Sequence, residues 1–139
     1  MSAKDVLKLM KSKNIEFVDL RFTDPRGKLQ HLTMDTTIVD EEMLNDGVFF
    51  DGSSIAGWKA INESDMILKP DLSRKVIDPY TSHNTLILFC DILDAVKRDP
   101  YERDPRGIAK KAEAYLKKTG IGDTAYFCLL YTSDAADEP

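Results

Sequence analysis

Cysteine, long apolar runs and excess positive charge are all scarce in this sequence. Cysteine occurs twice, at Cys90 and Cys128, and neither lies in a CxxC pair. Two isolated cysteines build no disulfide framework, so both are expected as reduced thiols, the state a cytoplasm favours. The apolar run Leu86 to Cys90 is strand length. It falls far short of the roughly 18–20 residues that span a bilayer. The opening Met-Ser-Ala-Lys-Asp has no apolar signal core. These absences predict a soluble, cytoplasmic protein with no membrane partner. Basic residues number 19 against 24 acidic ones, a net charge of -5. That balance argues against nucleic acid as a partner. Lys110-Lys111 and Lys117-Lys118 read as the solvated face of a helix. There is no Walker loop, dinucleotide fingerprint or internal repeat. The two histidines, His31 and His83, are far apart in sequence and lack neighbouring ligands. They read as strand-face or loop residues, because a metal site needs several convergent donors.

What is present suits a small α+β fold. The 139 residues suffice for one modest domain and fit two only tightly. Ser2 with Asp5 predicts a capped helix over Ala3 to Lys13, ended at Asn14. Val18, Leu20 and Phe22 alternate with Asp19, Arg21 and Thr23, the pattern of a half-buried strand. Asp24-Pro25-Arg26-Gly27 is a turn. Lys28 to Met34 returns as a second strand, so the two form a hairpin. Asp40 to Asn45 is a brief helix stopped near Gly47. Val48 to Phe50, Met66 to Leu68, Lys75 to Asp78 and Thr85 to Asp91 are further strands, with Pro70 expected to stop the second of them. Ile55 to Asp65 reads as an ordered loop, and Val96 to Tyr101 as a linker. Asp104 then caps a helix with Pro105 at its first position. Its apolar stripe is Ile108, Ala112, Tyr115 and Leu116, and Gly120 ends it. Ala125 to Phe127 begins another strand.

Asp51-Gly52-Ser53-Ser54 is the stretch with chemical interest. Taken alone it is turn chemistry: Asp and Ser bond nearby N–H groups, and Gly takes a positive φ. Its surroundings extend the pattern. Phe50 precedes it, eight residues follow (Ile55 to Asn62), and then come Glu63-Ser64-Asp65 and Met66-Ile67-Leu68. This arrangement resembles the amino-terminal signature of glutamine synthetases, and Ile55, Gly57, Trp58, Ile61 and Asn62 resemble the bacterial type. The likeness runs from about Ser2 to Phe127. It includes Phe17 to Asp24, Val76-Ile77-Asp78-Pro79 and Arg103-Asp104-Pro105-Arg106.

The resemblance implies an α+β, β-grasp-like sheet with a flanking helix over residues 1–103. Residues 104–127 would be the first helix and strand of a truncated catalytic domain. It implies a parent enzyme that joins ammonia to glutamate through γ-glutamyl phosphate at the expense of ATP. That parent would use a divalent metal, Mg or Mn, and would assemble as a ring homo-oligomer, usually a dodecamer of two stacked rings. By the same resemblance, Asp51 is the ammonium-site carboxylate, donated across a subunit interface, and Ser54 helps build that site. Asp65 lies on a nearby loop. Trp58 sits near the neighbour's nucleotide region, with an interface or core aromatic as its alternative reading. No metal ligand of the family falls in this segment, and the segment alone is expected to bind no cofactor and to be inactive. The alternative function is a subunit-interaction module without catalysis.

Beyond Phe127 the family's Gly-Pro-Glu-Pro-Glu-Phe-type strand is replaced by Cys128-Leu129-Leu130-Tyr131-Thr132-Ser133 and a short acidic end. Cys128 to Asp137 is what a transposase library adaptor encodes in one reading frame. Residues 128–139 are therefore expected to be a foreign, adaptor-derived tail.

Overall fold

The computed structural model describes residues 1–55, 57 and 64–127. The expected tail at 128–139 and Trp58 lie outside the described residues. So does most of the loop expected between Ile55 and Asp65.

Helix α1 spans Ala3–Ser12. The Ser2 hydroxyl accepts the Asp5 N–H, and the Asp5 carboxylate accepts the Ser2 N–H, completing a capping box. Such a cap is worth about 1 kcal/mol. Asn14, at φ 48°, turns the chain out of the helix. Ala3, Val6 and Met10 form the buried face.

Strands β1 (Phe17–Thr23) and β2 (Leu29–Asp35) form the expected hairpin, in register from Phe17 opposite Asp35 to Thr23 opposite Leu29. Asp24 organises the turn. Its Oδ1 accepts the Arg26 and Lys28 N–H groups, both at 2.9 Å. Gly27 takes φ +82°, which L-residues avoid. Helix α2 (Glu41–Asp46) begins at the Asp40 cap and ends at Gly47. Strands β3 (Val48–Asp51), β4 (Asp65–Ile77) and β5 (Thr85–Asp94) complete a five-stranded sheet of order β2-β1-β5-β4-β3. Only the pairing of β1 with β5 is parallel.

The core lies on one face of this sheet, under α1. Leu20 of β1, Leu88 of β5, Leu68 of β4, Val6 of α1 and Leu44 of α2 are each fully buried within it. The alternation read along β1 holds for Val18, Leu20 and Phe22. Asp19, on the other face, is nonetheless only 4% exposed. Its surroundings explain this. Arg21 Nε, His31 Nδ1 and Thr33 Oγ1 lie 2.7, 2.9 and 2.8 Å from its carboxylate, and Arg21 also reaches Asp78 at 2.9 Å. Burial pushes the Asp19 carboxyl up, but these donors outweigh it and hold it below the usual range. His83 meets Glu16 at 3.2 Å and stands edge-on to Phe17.

Four expectations from the sequence fail. Met66 to Leu68 and Lys75 to Asp78 are not separate strands but parts of one, β4. Pro70 does not stop it, because β3 pairs only as far as Leu68. Beyond that point β4 is an edge, where a missing N–H is tolerated. The register with β5 is irregular between Pro70 and Lys75, so the chain bulges there. The strand expected at Ala125 to Phe127 does not form. A strand needs a backbone partner, and Tyr126 and Phe127 are 93% and 89% exposed. The span read as a linker at Val96 to Tyr101 is instead a tight return. Asp94 accepts the Val96 and Lys97 N–H groups, and Tyr101 N–H bonds the Ile92 carbonyl.

Helix α3, Pro105–Thr119, starts at Asp104 and gives way to Gly120 at φ +72°. None of its residues is buried; of its apolar stripe, Ile108 and Tyr115 are exposed and Leu116 is half-buried. The chain divides into two compact units, residues 1–108 and 109–139.

Candidate functional site

The site is built outward from β3. Phe50 points into the core and packs on Phe22, with ring centroids 5.3 Å apart. Alternation then sends Phe49 and Asp51 the other way, and both are exposed. Asp51 stands opposite Asp65 at the start of β4, so the two acids share the open end of the β3–β4 pair. Like charges placed this way disfavour the pairing. The strands are held there by other contacts, among them Gly52 N–H to the Ser64 carbonyl at 2.7 Å.

A short 3-10 turn, Gly52–Ser54, follows directly. The role of Gly52 differs from the expected one, since its φ is not in the positive range. What requires glycine is close approach. A Cβ there would lie 2.8 Å from Met66 Cγ and 2.9 Å from the Ser64 carbonyl oxygen, closer than side chains tolerate. Gly52 is accordingly buried while Asp51 is exposed.

The Asp51 carboxylate is tightly held. Its Oδ1 accepts the Ser53 N–H at 2.9 Å and the Ser53 hydroxyl at 2.7 Å. Ser64 contributes a further side-chain hydrogen bond. The Ser53 hydroxyl, the Ser53 amide and Ser64, in that order, hold the carboxyl below its usual range, so Asp51 is an anion at neutral pH. Ser54 acts elsewhere: its hydroxyl donates to the Asp51 main-chain oxygen at 2.6 Å. Arg103 reaches over from the segment before α3 and donates to the Gly57 carbonyl at 3.0 Å.

Of the residues singled out from sequence, Asp51, Ser54 and Asp65 thus come together at one end of the sheet. Trp58 lies outside the described residues. Ser53 and Ser64 were not assigned a role. An Asp followed two residues later by Ser is a local signal that could have identified Ser53. Ser64 had no such signal, because only β3–β4 pairing brings it to Asp51.

Among the described residues, no group of three or more His, Cys, Asp or Glu is placed to hold a metal ion. Cys90 is buried and unpaired, and burial pushes its thiol up, away from reactivity. Among the same residues, no helix is long and apolar enough to cross a membrane.

Known proteins resemble this chain in sequence and in fold. The model of the family described as glutamine synthetase, beta-Grasp domain, matches residues 14–95. The chain is similar to the glutamine synthetase of Rhizobium meliloti (strain 1021), with 62% identity over 125 residues, which is 90% of this chain and 27% of that protein. It is also similar to the glutamine synthetase of Azorhizobium caulinodans, 60% identical over 126 residues, covering 91% of this chain and 27% of that one. Among solved structures, a cryoEM glutamine synthetase of Plasmodium falciparum superposes with TM-score 0.77 at 25% identity, over 86% of this chain and 23% of its own. The chain therefore spans about a quarter of the length of the relatives it matches.

Proposed function

The chain belongs to the glutamine synthetase family, and on that premise we propose that it is the amino-terminal β-grasp part of an ATP-dependent glutamate–ammonia ligase in which Asp51 supplies the ammonium-site carboxylate. The observation that carries this is an exposed, hydrogen-bonded anion at the end of β3, with no cationic partner among the described residues. A fixed anion at an open sheet end attracts a small cation such as ammonium. Ammonium is not a nucleophile until a proton leaves. The donors on Asp51 make it a good electrostatic partner but a weak base. It therefore gathers and orients the cation first. One proton passes from the held ammonium to Asp51, the ammonia so formed attacks the acyl carbon of γ-glutamyl phosphate, and as the C–N bond forms the nitrogen sheds a second proton to water. Phosphate leaves from that carbon, and the amide of glutamine remains.

Ser54 shapes the turn that presents Asp51, and Asp65 adds negative charge beside it. By the family likeness, Trp58 is read as a residue near the neighbour's nucleotide region. Among the described residues no group of three or more His, Cys, Asp or Glu is placed to hold a metal ion. By the family likeness, ATP and the Mg or Mn ion belong to the full-length parent. The parent is read as a cytoplasmic ring of identical subunits, with Asp51 facing the next subunit. Residues 1–103 form the β-grasp part, 104–127 open the catalytic part, and 128–139 are a foreign tail.

The test is Asp51→Asn in a full-length parent. Ammonia-dependent glutamine synthesis should collapse while the fold is kept, and unchanged use of ammonia would remove Asp51 from the mechanism. The 139-residue chain alone should form no glutamine. A second reading, a subunit-interaction module, draws on Phe49, which is 60% exposed on the same side of β3 as Asp51. Mixing the chain with intact enzyme and measuring assembly separates the two.

A further inference from the structure

We propose that Ser53 is a positioning residue for Asp51, holding its carboxylate in one orientation so that an incoming cation meets a fixed charge. The inference rests on the ammonium-site reading of Asp51. Two donors from one residue, the Ser53 N–H at 2.9 Å and its hydroxyl at 2.7 Å, converge on a single oxygen, Oδ1. An exposed Asp side chain otherwise samples several rotamers. Two bonds to one oxygen remove that freedom and leave the charge in place.

Among the described residues the same clasp occurs twice more. Thr37 holds Asp35 Oδ1 at 2.8 and 2.7 Å, and Ser73 holds Asp71 Oδ1 at 3.0 and 2.6 Å. Asp35 caps the 3-10 turn Thr36–Ile38 just as Asp51 caps Gly52–Ser54, and Asp71 receives Arg106. At Asp51 the clasp gains a third donor, Ser64, from across the strand pair. It ends in an exposed carboxylate with no counter-ion among the described residues. On the ammonium-site reading of Asp51, this added donor fixes a charge that faces outside the domain. Ser53 and Ser54 divide the labour, one on the carboxylate and the other on the main chain behind it.

The experiment has two arms. In the 139-residue chain, carbon-detected NMR titration follows the Asp51 carboxyl in the native sequence, Ser53→Ala and Ser53→Thr. In a full-length parent, KM for ammonium and kcat are measured for the same variants and for Asp51→Asn. Ser53→Ala should raise the Asp51 midpoint. It should also raise KM for ammonium roughly three- to tenfold, the effect of about one hydrogen bond, with kcat changed less than about twofold. Ser53→Thr keeps both donors and should restore both readouts. An Asp51 midpoint unmoved by Ser53→Ala overturns the inference. So does an unmoved KM in a parent that Asp51→Asn inactivates. If the midpoint moves while Asp51→Asn leaves ammonium use intact, the clasp on Asp51 stands and the ammonium reading falls. The two failures are thus distinguishable.

Discussion

Asp51 and Asp104 are built alike and behave in opposite ways. Each stands at the end of a strand or turn, and each accepts an N–H from two residues downstream. Asp104 accepts the Arg106 and Gly107 N–H groups at 3.1 Å, and the Ile92 N–H of β5 at 3.3 Å. It is 1% exposed, and burial raises its carboxyl above the ordinary value despite those donors, with nearby Asp91 adding to the rise. Asp51 is exposed, and there the donors prevail and the carboxyl is lowered. The presence of hydrogen bonds to a carboxylate thus does not by itself fix the direction of its shift. Between these two acids desolvation makes the difference, since it penalises the anion at Asp104 and spares it at Asp51. Arg106 reinforces the structural role on the Asp104 side by bridging Asp71 and Asp91, which joins the start of α3 to β4 and β5.

This contrast can be broken by exchanging the consequences. The largest effect is expected from Asp51→Asn in a full-length parent: a loss of about a hundredfold or more in kcat/KM for ammonium, in the range of removing an acid–base group. Its urea unfolding should shift by less than about 1 kcal/mol, as for exposed substitutions. A large stability loss with little kinetic change would reverse the roles of the two acids. Next comes Asp104→Ala in the 139-residue chain. Three N–H groups lose their acceptor, so stability measured by urea unfolding should fall by about 2–3 kcal/mol. Gly52→Ala follows, at about 1–3 kcal/mol, because the added Cβ must displace Met66 or the Ser64 carbonyl. Crystallography or NMR should show β3 shifted against β4.

The smallest effect is on acid stability. Asp104 has a raised carboxyl in the folded chain, so between its unfolded value and that raised value the folded state binds more protons. It therefore gains stability as pH falls through that window. Asp19 has a lowered carboxyl, and its contribution is lost as pH falls through its folded value, below the ordinary range for an aspartate. Asp104→Asn removes the compensating gain. Its unfolding free energy should decline more steeply on acidification than that of the native chain, and equal slopes would refute the raised carboxyl.

Much of the fold was legible locally. Ser2 with Asp5 marked the α1 cap, Asp40 and Gly47 bounded α2, and Asp104 with Pro105 opened α3. These signals act over three or four residues. The β1 alternation identified Val18, Leu20 and Phe22 as core for the same reason. It could not identify Asp19 as buried, because Arg21, His31, Thr33 and Asp78 come from three different parts of the chain. Pro70 was misread for a related cause: whether proline ends a strand depends on which neighbour needs its N–H, and β3 stops short of it. At the site, Asp51 and Ser54 were recognised by resemblance. Ser64 as a donor, and the steric demand for Gly52, became visible only once β3 lay on β4.

The residues in order determined the caps, the turns, the alternation of the first strand and the family, since each is a matter of near neighbours or of motif. Tertiary structure alone decided which acids are desolvated, placing Asp104 inside the domain and Asp51 at its surface. The reason is that a carboxyl's charge depends on the water and donors around it, and these come from residues distant in sequence.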